Sequence, residues 1–254
     1  MTLMSFVVFA LAAPDDQAAP AERGDTLRIE VGSPAVNGSV YKPHRARVRV
    51  HLNSLDTPPT NEWTNDLTIG DSAGRKVMRW VTLGQIDSTG TPGFDLRQTM
   101  DLVTLAPLGY RLKTRTGADV SLAIDGNRMH GTRKRPSATA PEPVDRIIPR
   151  MGFIASASDL VPLAVGLEAG TVFVAPVWGP NMETAESRIF SVIGRERRMV
   201  EGTEWQAWKV EERRESDRRL MATWYLVEDS PYMVAGESYL EDGRVQLFTE
   251  IELE

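Results

Sequence analysis

The sequence predicts a mainly β protein built on one large curved antiparallel sheet, a half-barrel or open barrel, with one short helical lid. Three observations predict it: short apolar runs that alternate with period two, turn dipeptides between them, and a single stretch with helical spacing. Residues 46–52 (ARVRVHL) show the alternation best. Ala46, Val48, Val50 and Leu52 fall on one face, and Arg45, Arg47, Arg49 and His51 on the other, as in a half-buried strand. Similar runs cover residues 27–31, 67–69, 77–83, 96–105, 120–124 and 171–178, then 188–195, 204–212, 220–227, 232–240 and 245–253. Asp125-Gly126 and Asp242-Gly243 are hairpin signals, and Gly202 divides two strands. Strands joined by such short turns are antiparallel, because a parallel crossover needs a dozen or more residues.

Two places interrupt the pattern. Residues 136–143 (PSATAPEP) carry three prolines and predict a loop. Residues 153–167 (FIASASDLVPLAVGL) are the helix candidate. Ile154, Ala157, Leu160, Val161 and Ala164 fall at helical spacing, and Pro162 and Gly166 shorten or kink the segment.

Ahead of this domain, residues 4–12 (MSFVVFALA) form the longest uninterrupted apolar run. It is too short for a transmembrane helix, which takes about 20 residues, and fits the apolar part of a signal peptide. Ala10-Leu11-Ala12 supplies a small-x-small cleavage pattern. The expected organisation is a signal peptide over residues 1–12, a disordered mature start over 13–25, and a single β domain over 26–254. No Lys or Arg precedes the run, so the positive charge falls to the α-amino group or the chain begins further upstream. The alternative for the run is a first buried strand. Export places the protein in the bacterial periplasm or outside the cell.

Composition narrows the function. A hydrophobic fraction of 41% and a charged fraction of 25% describe an ordinary globular chain. A net charge of −6 offers no electrostatic reason to bind nucleic acid. The local basic run at residues 128–135 (RMHGTRKR) reads as a solvated strand end. Cysteine is absent, which excludes a disulfide, a cysteine-based zinc site and an acylated cysteine anchor. A membrane β-barrel needs an apolar lipid-facing side on every strand, whereas residues 188–198 and 204–212 carry charge at nearly every other position.

The C-terminal third carries a more specific pattern. A strand ending in charge (SRIFSVIGRER) leads through Val200-Glu201-Gly202 to an Ala207-Trp208-Lys209-Val210 strand. A Thr223-Trp224-Tyr225-Leu226-Val227 strand, the Ser230-Pro231-Tyr232 turn and the Asp242-Gly243-Arg244-Val245 hairpin follow. This order resembles a family of exported bacterial β-rich proteins of unknown function, and through it the lipoprotein-localisation carriers. The resemblance covers roughly residues 145–254. It implies a curved half-barrel that holds an acyl chain between sheet and lid, by analogy of fold.

On that reading the ligand-binding residues are Phe153, Ile154, Leu160 and Leu163 of the lid segment, with Trp205, Trp208, Trp224, Tyr225 and Tyr232 on consecutive strands. The alternative is that these aromatic residues form a solid core. No catalytic residue, metal site or cofactor is expected. His44, His51 and His130 lack metal-ligand spacing and are expected on polar strand faces. Ser39-Val40-Tyr41-Lys42 matches a Ser-x-x-Lys pattern but sits before a proline and a strand rather than on a helix. Glu211, Glu237 and Glu250 are the carboxylates that could pair across strands, with salt bridges to Arg213, Arg219 or Arg244 as the default. The expected function is a non-catalytic periplasmic carrier or sensor of a lipid-like ligand. The alternatives are an exported hydrolase using a carboxylate pair on an envelope polymer, and a scaffold that binds a protein along a sheet edge.

Overall fold

The computed structural model describes residues 26–85 and 92–253. The signal peptide and disordered start expected over residues 1–25 lie outside the described residues. Among the described residues, sixteen strands form one sheet, largely antiparallel. An N-terminal meander comprises β2 (His44–Leu52), β3 (Asn61–Ser72), β4 (Arg75–Gly84), β5 (Phe94–Asp101), β6 (Pro107–Thr114), β7 (Asp119–Asp125), β8 (Arg128–Lys134) and β9 (Glu142–Ile147). A C-terminal one comprises β11 (Val172–Trp178), β12 (Glu186–Val200), β13 (Thr203–Arg214), β14 (Leu220–Leu226), β15 (Met233–Tyr239) and β16 (Val245–Glu252). The meanders join where β16 pairs antiparallel with β2, from Gln246 opposite Leu52 to Glu252 opposite Ala46. Two short strands, β1 (Leu27–Arg28) and β10 (Phe153–Ile154), lie parallel to β11.

The faces follow from the alternation. In β2, His44, Ala46, Val48 and Val50 are buried on the concave side while Arg45, Arg47 and Arg49 point outward. His44 corrects the expectation of a polar face: it shares the parity of Ala46 and packs edge-on against Trp80 and Tyr232. His51 is also buried, within 2.7 Å of the Thr57 carbonyl through Nδ1, whereas His130 is exposed.

The helix is shorter than its periodicity suggests. Phe153–Ile154 is drawn into β10, Ala155–Ala157 forms a single 3₁₀ turn, and α1 spans only Leu160–Val165. Gly166 closes it, donating its N–H to the Pro162 carbonyl at 2.9 Å. Residues Leu160 through Ala164 are all buried inside the curve of the sheet. There they meet Leu67, Met78 and Met100 from one meander and Phe173, Phe190 and Val210 from the other. The segment is tied to the stretch before β2 by Asn37 N–H to the Ala164 carbonyl (2.8 Å) and Tyr41 Oη–H to the Leu160 carbonyl (2.5 Å).

A second covering layer lies on the convex side. The β12–β13 register shifts between Val192 and Gly194, and beyond this bulge the hairpin leaves β14 and bends over the sheet. Its Val200 packs with Tyr225, Val234 and Ile251 of β14, β15 and β16. At its tip Glu201 bridges to Arg49 (2.6 Å) and Arg47 (3.5 Å) of β2.

Candidate functional site

The concave face carries two adjoining features, a row of aromatic rings and a seam of buried polar groups beneath the lid. The row crosses four strands: Trp224 on β14, Phe248 on β16, Trp63 on β3 and Phe94 on β5. Ring centroids are 6.4 Å apart for Trp224–Phe248, 5.9 Å for Phe248–Trp63 and 6.0 Å for Trp63–Phe94. All four are only half-buried. The register explains how they lie there. Gly236 stands opposite both Trp224 and Phe248, and Gly84 opposite Trp63. A Cβ on Gly236 would meet the Trp224 ring at 2.9 Å, and one on Gly84 the Phe94 ring at 2.4 Å. The missing side chains let the rings spread across the sheet.

The seam is built from residues in phase with apolar neighbours. Glu212 follows Trp208 and Val210 on the inner face of β13, Glu250 follows Phe248 on β16, and Gln98 sits between Leu96 and Met100 on β5. Glu212 is well partnered. Its Oε2 accepts from Ser158 Oγ–H and Trp224 Nε1–H, both at 3.0 Å, and its Oε1 lies 3.3 Å from Arg188 Nη1. Gln98 Nε2–H donates to Ser156 Oγ at 2.5 Å. A chain of bonds runs from Trp80 Nε1–H to Thr82 Oγ1 (3.2 Å), on to Asn65 Oδ1 (2.9 Å), and from Asn65 Nδ2–H to Glu250 Oε1 (3.3 Å). Beyond these, Glu250 Oε2, Gln98 Oε1 and both ring nitrogens of His44 are buried without a hydrogen-bond partner among the described residues. Such orphaned groups each cost about 1–3 kcal/mol.

Burial governs the electrostatics. Loss of solvent pushes the half-buried Asp159 up to about 7, with the charge of Glu212 adding to the shift. Glu212 is also raised by burial, against the opposing pull of Arg188, Trp224 and Ser158. Glu250 is raised well above the usual carboxylate range, first by burial and then by the charge of Asp159, with Asn65 opposing. Burial lowers His44, favouring its neutral form. No group of three or more metal-ligating residues is placed to hold a metal ion among the described residues.

The structure brings seven of the nine sequence-predicted ligand residues together. Phe153, Ile154, Leu160, Leu163 and Tyr232 are buried in the main cluster, with Trp208 and Trp224 packed at its border. Trp205 and Tyr225 belong instead to the convex cluster under the folded-over hairpin. Of the carboxylates named from sequence, Glu211 takes the default bridge to Arg213 (2.9 Å) and Glu237 a longer one to Arg198 (3.8 Å). Glu250 has no cation among its bonded neighbours. Asp159, Glu212, Gln98, Trp63 and Phe248 were not singled out. The signal for two of them was present: a Glu or Gln at an apolar parity within a strand, as at positions 98 and 212.

No protein-family model matches the sequence, and no curated protein matches it significantly. Comparison with solved structures finds likenesses at low identity. A β-barrel-like protein of the domain of unknown function DUF1849 from Brucella abortus is 11% identical, with a TM-score of 0.49 over 84% of this chain and 98% of that one. A LolA superfamily protein from Nitrosomonas europaea is 9% identical, with a TM-score of 0.22 over 84% and 86%. A putative outer membrane lipoprotein-sorting protein domain from Vibrio parahaemolyticus is 8% identical, with a TM-score of 0.25 over 84% and 87%.

Proposed function

We infer that this protein is a non-catalytic carrier or sensor of a hydrophobic, lipid-like ligand, exported to the bacterial periplasm. The observation that carries the reading is the aromatic row: Trp224, Phe248, Trp63 and Phe94 lie half-exposed on the concave face, beside a lid that the sheet does not need for its own hydrogen bonds. Exposed apolar surface of this kind on an inward face is a binding surface more often than an accident of folding. Magnitudes support displacement of the lid. Burying its Leu160, Val161 and Leu163 is worth roughly 1.5–3 kcal/mol each. An alkyl chain of about twelve carbons gains roughly 0.8 kcal/mol per methylene on leaving water, the same order as the lid. The apolar run and Ala-x-Ala pattern at residues 4–12 support export.

A second reading has one observation in its favour. Asp159, pushed up to about 7 next to Glu212, has the protonation behaviour of a general acid working at neutral pH. An exported hydrolase would then act through this pair. The scaffold reading has less support, because the edge strand β9 carries Pro143 and the charges of Glu142, Asp145 and Arg146, which discourage strand addition.

The test is binding of N-phenylnaphthylamine, an uncharged dye that fluoresces in apolar surroundings. Saturable binding by the wild type, weakened at least fivefold in Phe248→Ala with an unchanged circular dichroism spectrum, is the expected result. A wild type that binds no dye overturns the carrier reading. Hydrolysis of an envelope glycan that is lost in Asp159→Asn establishes the other.

A further inference from the structure

Resting on the carrier reading, the next question is which polar end the guest bears. The polar seam beneath the lid holds an excess of acceptors. Three acids meet the lid turn there: Asp159 belongs to it, Glu212 of β13 accepts from its Ser158, and Glu250 of β16 feels the charge of Asp159. One nearby cation, Arg188, is already divided between Glu186 and Glu212. Glu250 keeps one oxygen without a donor, although the residue is 1% exposed. Gln98, also 1% exposed, bonds the lid at Ser156 through one end of its amide and leaves the other end unpartnered. These two side chains come from opposite meanders and both border the lid or the aromatic row.

We propose that the protein selects an amphiphile with a positively charged, donor-bearing head, an amine or ammonium on an alkyl chain, with Glu250, Gln98 and Glu212 receiving the head and the aromatic row receiving the chain. Two physical arguments favour this class. Burial holds these acids toward their protonated forms; a cationic head offsets that penalty and lets them ionise, whereas a carboxylate or phosphate head deepens it. A bare hydroxyl or ester would leave most of the acceptors unpaired, and sites with buried polar groups reject ligands that cannot satisfy them. An ammonium supplies three donors and the opposite charge. The rings of Trp224 and Trp63 beside the acids also offer faces that attract a cation.

The experiment is competition against N-phenylnaphthylamine at pH 7.5 by dodecylamine, dodecanol and dodecanoate, each below its micellar concentration. These three share a chain and differ in the head. The expected result is displacement by dodecylamine at a concentration at least tenfold lower than by the other two. In Glu250→Gln that preference falls at least fivefold while the uncharged dye still binds. This variant removes one of 35 acidic residues, so non-specific attraction of the amine to a negatively charged surface would survive it. Equal displacement by all three amphiphiles, or a preference undiminished in Glu250→Gln, overturns the head-group proposal and leaves the carrier reading standing. If Glu250→Gln does not fold, Gln98→Leu takes its place with the same expectation. A wild type that binds neither dye nor amphiphile removes both.

Discussion

Trp224 and Tyr225 are neighbours in the chain, yet one faces the lid and the other the folded-over hairpin. Around them the same strands, β14 to β16 and β2, are covered twice, from opposite sides and by different physical means. The hairpin on the convex side covers an aliphatic and aromatic patch and adds ion pairs that are each partnered and reached by solvent: Glu201 with Arg49, and Arg198 with Glu237. Arg198 also stacks 3.6 Å above the Tyr225 ring. Under the hairpin Arg47, Arg198 and Trp205 each keep a buried nitrogen without a partner, but both arginines are paired through another nitrogen; under the lid Glu250, Gln98 and His44 are the groups left short. The first layer has the composition of permanent packing. The second leaves a carboxyl group and an amide short of partners in its interior, at a desolvation cost.

The contrast can be broken by measurement. The largest effect is expected from Leu160→Ala in the lid, which removes a fully buried side chain and should destabilise by about 2–5 kcal/mol in denaturant melts. If the loss is under about 1 kcal/mol, the lid is not packed as described.

Next comes pH. The native-state pKa of Asp159 is raised above its ordinary value of 3.8 to about 7. Its contribution is therefore fully present below pH 4 and is lost as pH rises through 7. Glu212 and Glu250 shift in the same direction, while Arg188 and Ser158 resist it at Glu212. Stability should fall by roughly 2–4 kcal/mol between pH 5 and pH 8, since each pKa unit corresponds to about 1.4 kcal/mol. Asp159→Asn should flatten much of that slope, and a wild-type profile flat over the same interval would show that the acids are solvated.

On the convex side the effects shrink. Glu201→Gln, which cuts the bridges to Arg47 and Arg49, should cost about 0.2–1 kcal/mol, and the cost should fade in high salt. Smallest of all, His130→Ala on the exposed face of β8 should change stability by about 0.5 kcal/mol or less. A larger effect there would mean that this face is covered.

Local patterns were readable in the sequence and long-range ones were not. The faces of β2, the turns at Gly126, Gly202 and Gly243, and the shortening of the helix by Pro162 and Gly166 all followed from neighbours within a few residues. Residues 96–105 looked like one strand because their apolar content continues. In the structure β5 ends at Asp101, whose carboxylate accepts from the N–H groups of Val103 and Thr104 and starts a turn. The prolines after Arg135 marked a loop correctly, but the chain re-enters the sheet at Glu142, because an edge strand tolerates Pro143. The folding-over of the β12–β13 hairpin depends on a bulge that alternation does not reveal, and so Trp205 and Tyr225 were assigned to the wrong layer. The aromatic row was legible only at Trp224. Its other members come from strands far apart in sequence, and the join of β16 to β2 that brings them together has no local signature.

That join also has a kinetic consequence. The partners Leu52 and Gln246 are separated by most of the chain, so the two meanders cannot be zipped together until nearly all of it is available. Contacts of such long range make folding slow. Until then β2 presents an open edge, and neither the aromatic row nor the acid seam exists as a site. A chain synthesised from its N-terminus therefore stays unfinished while it is still emerging.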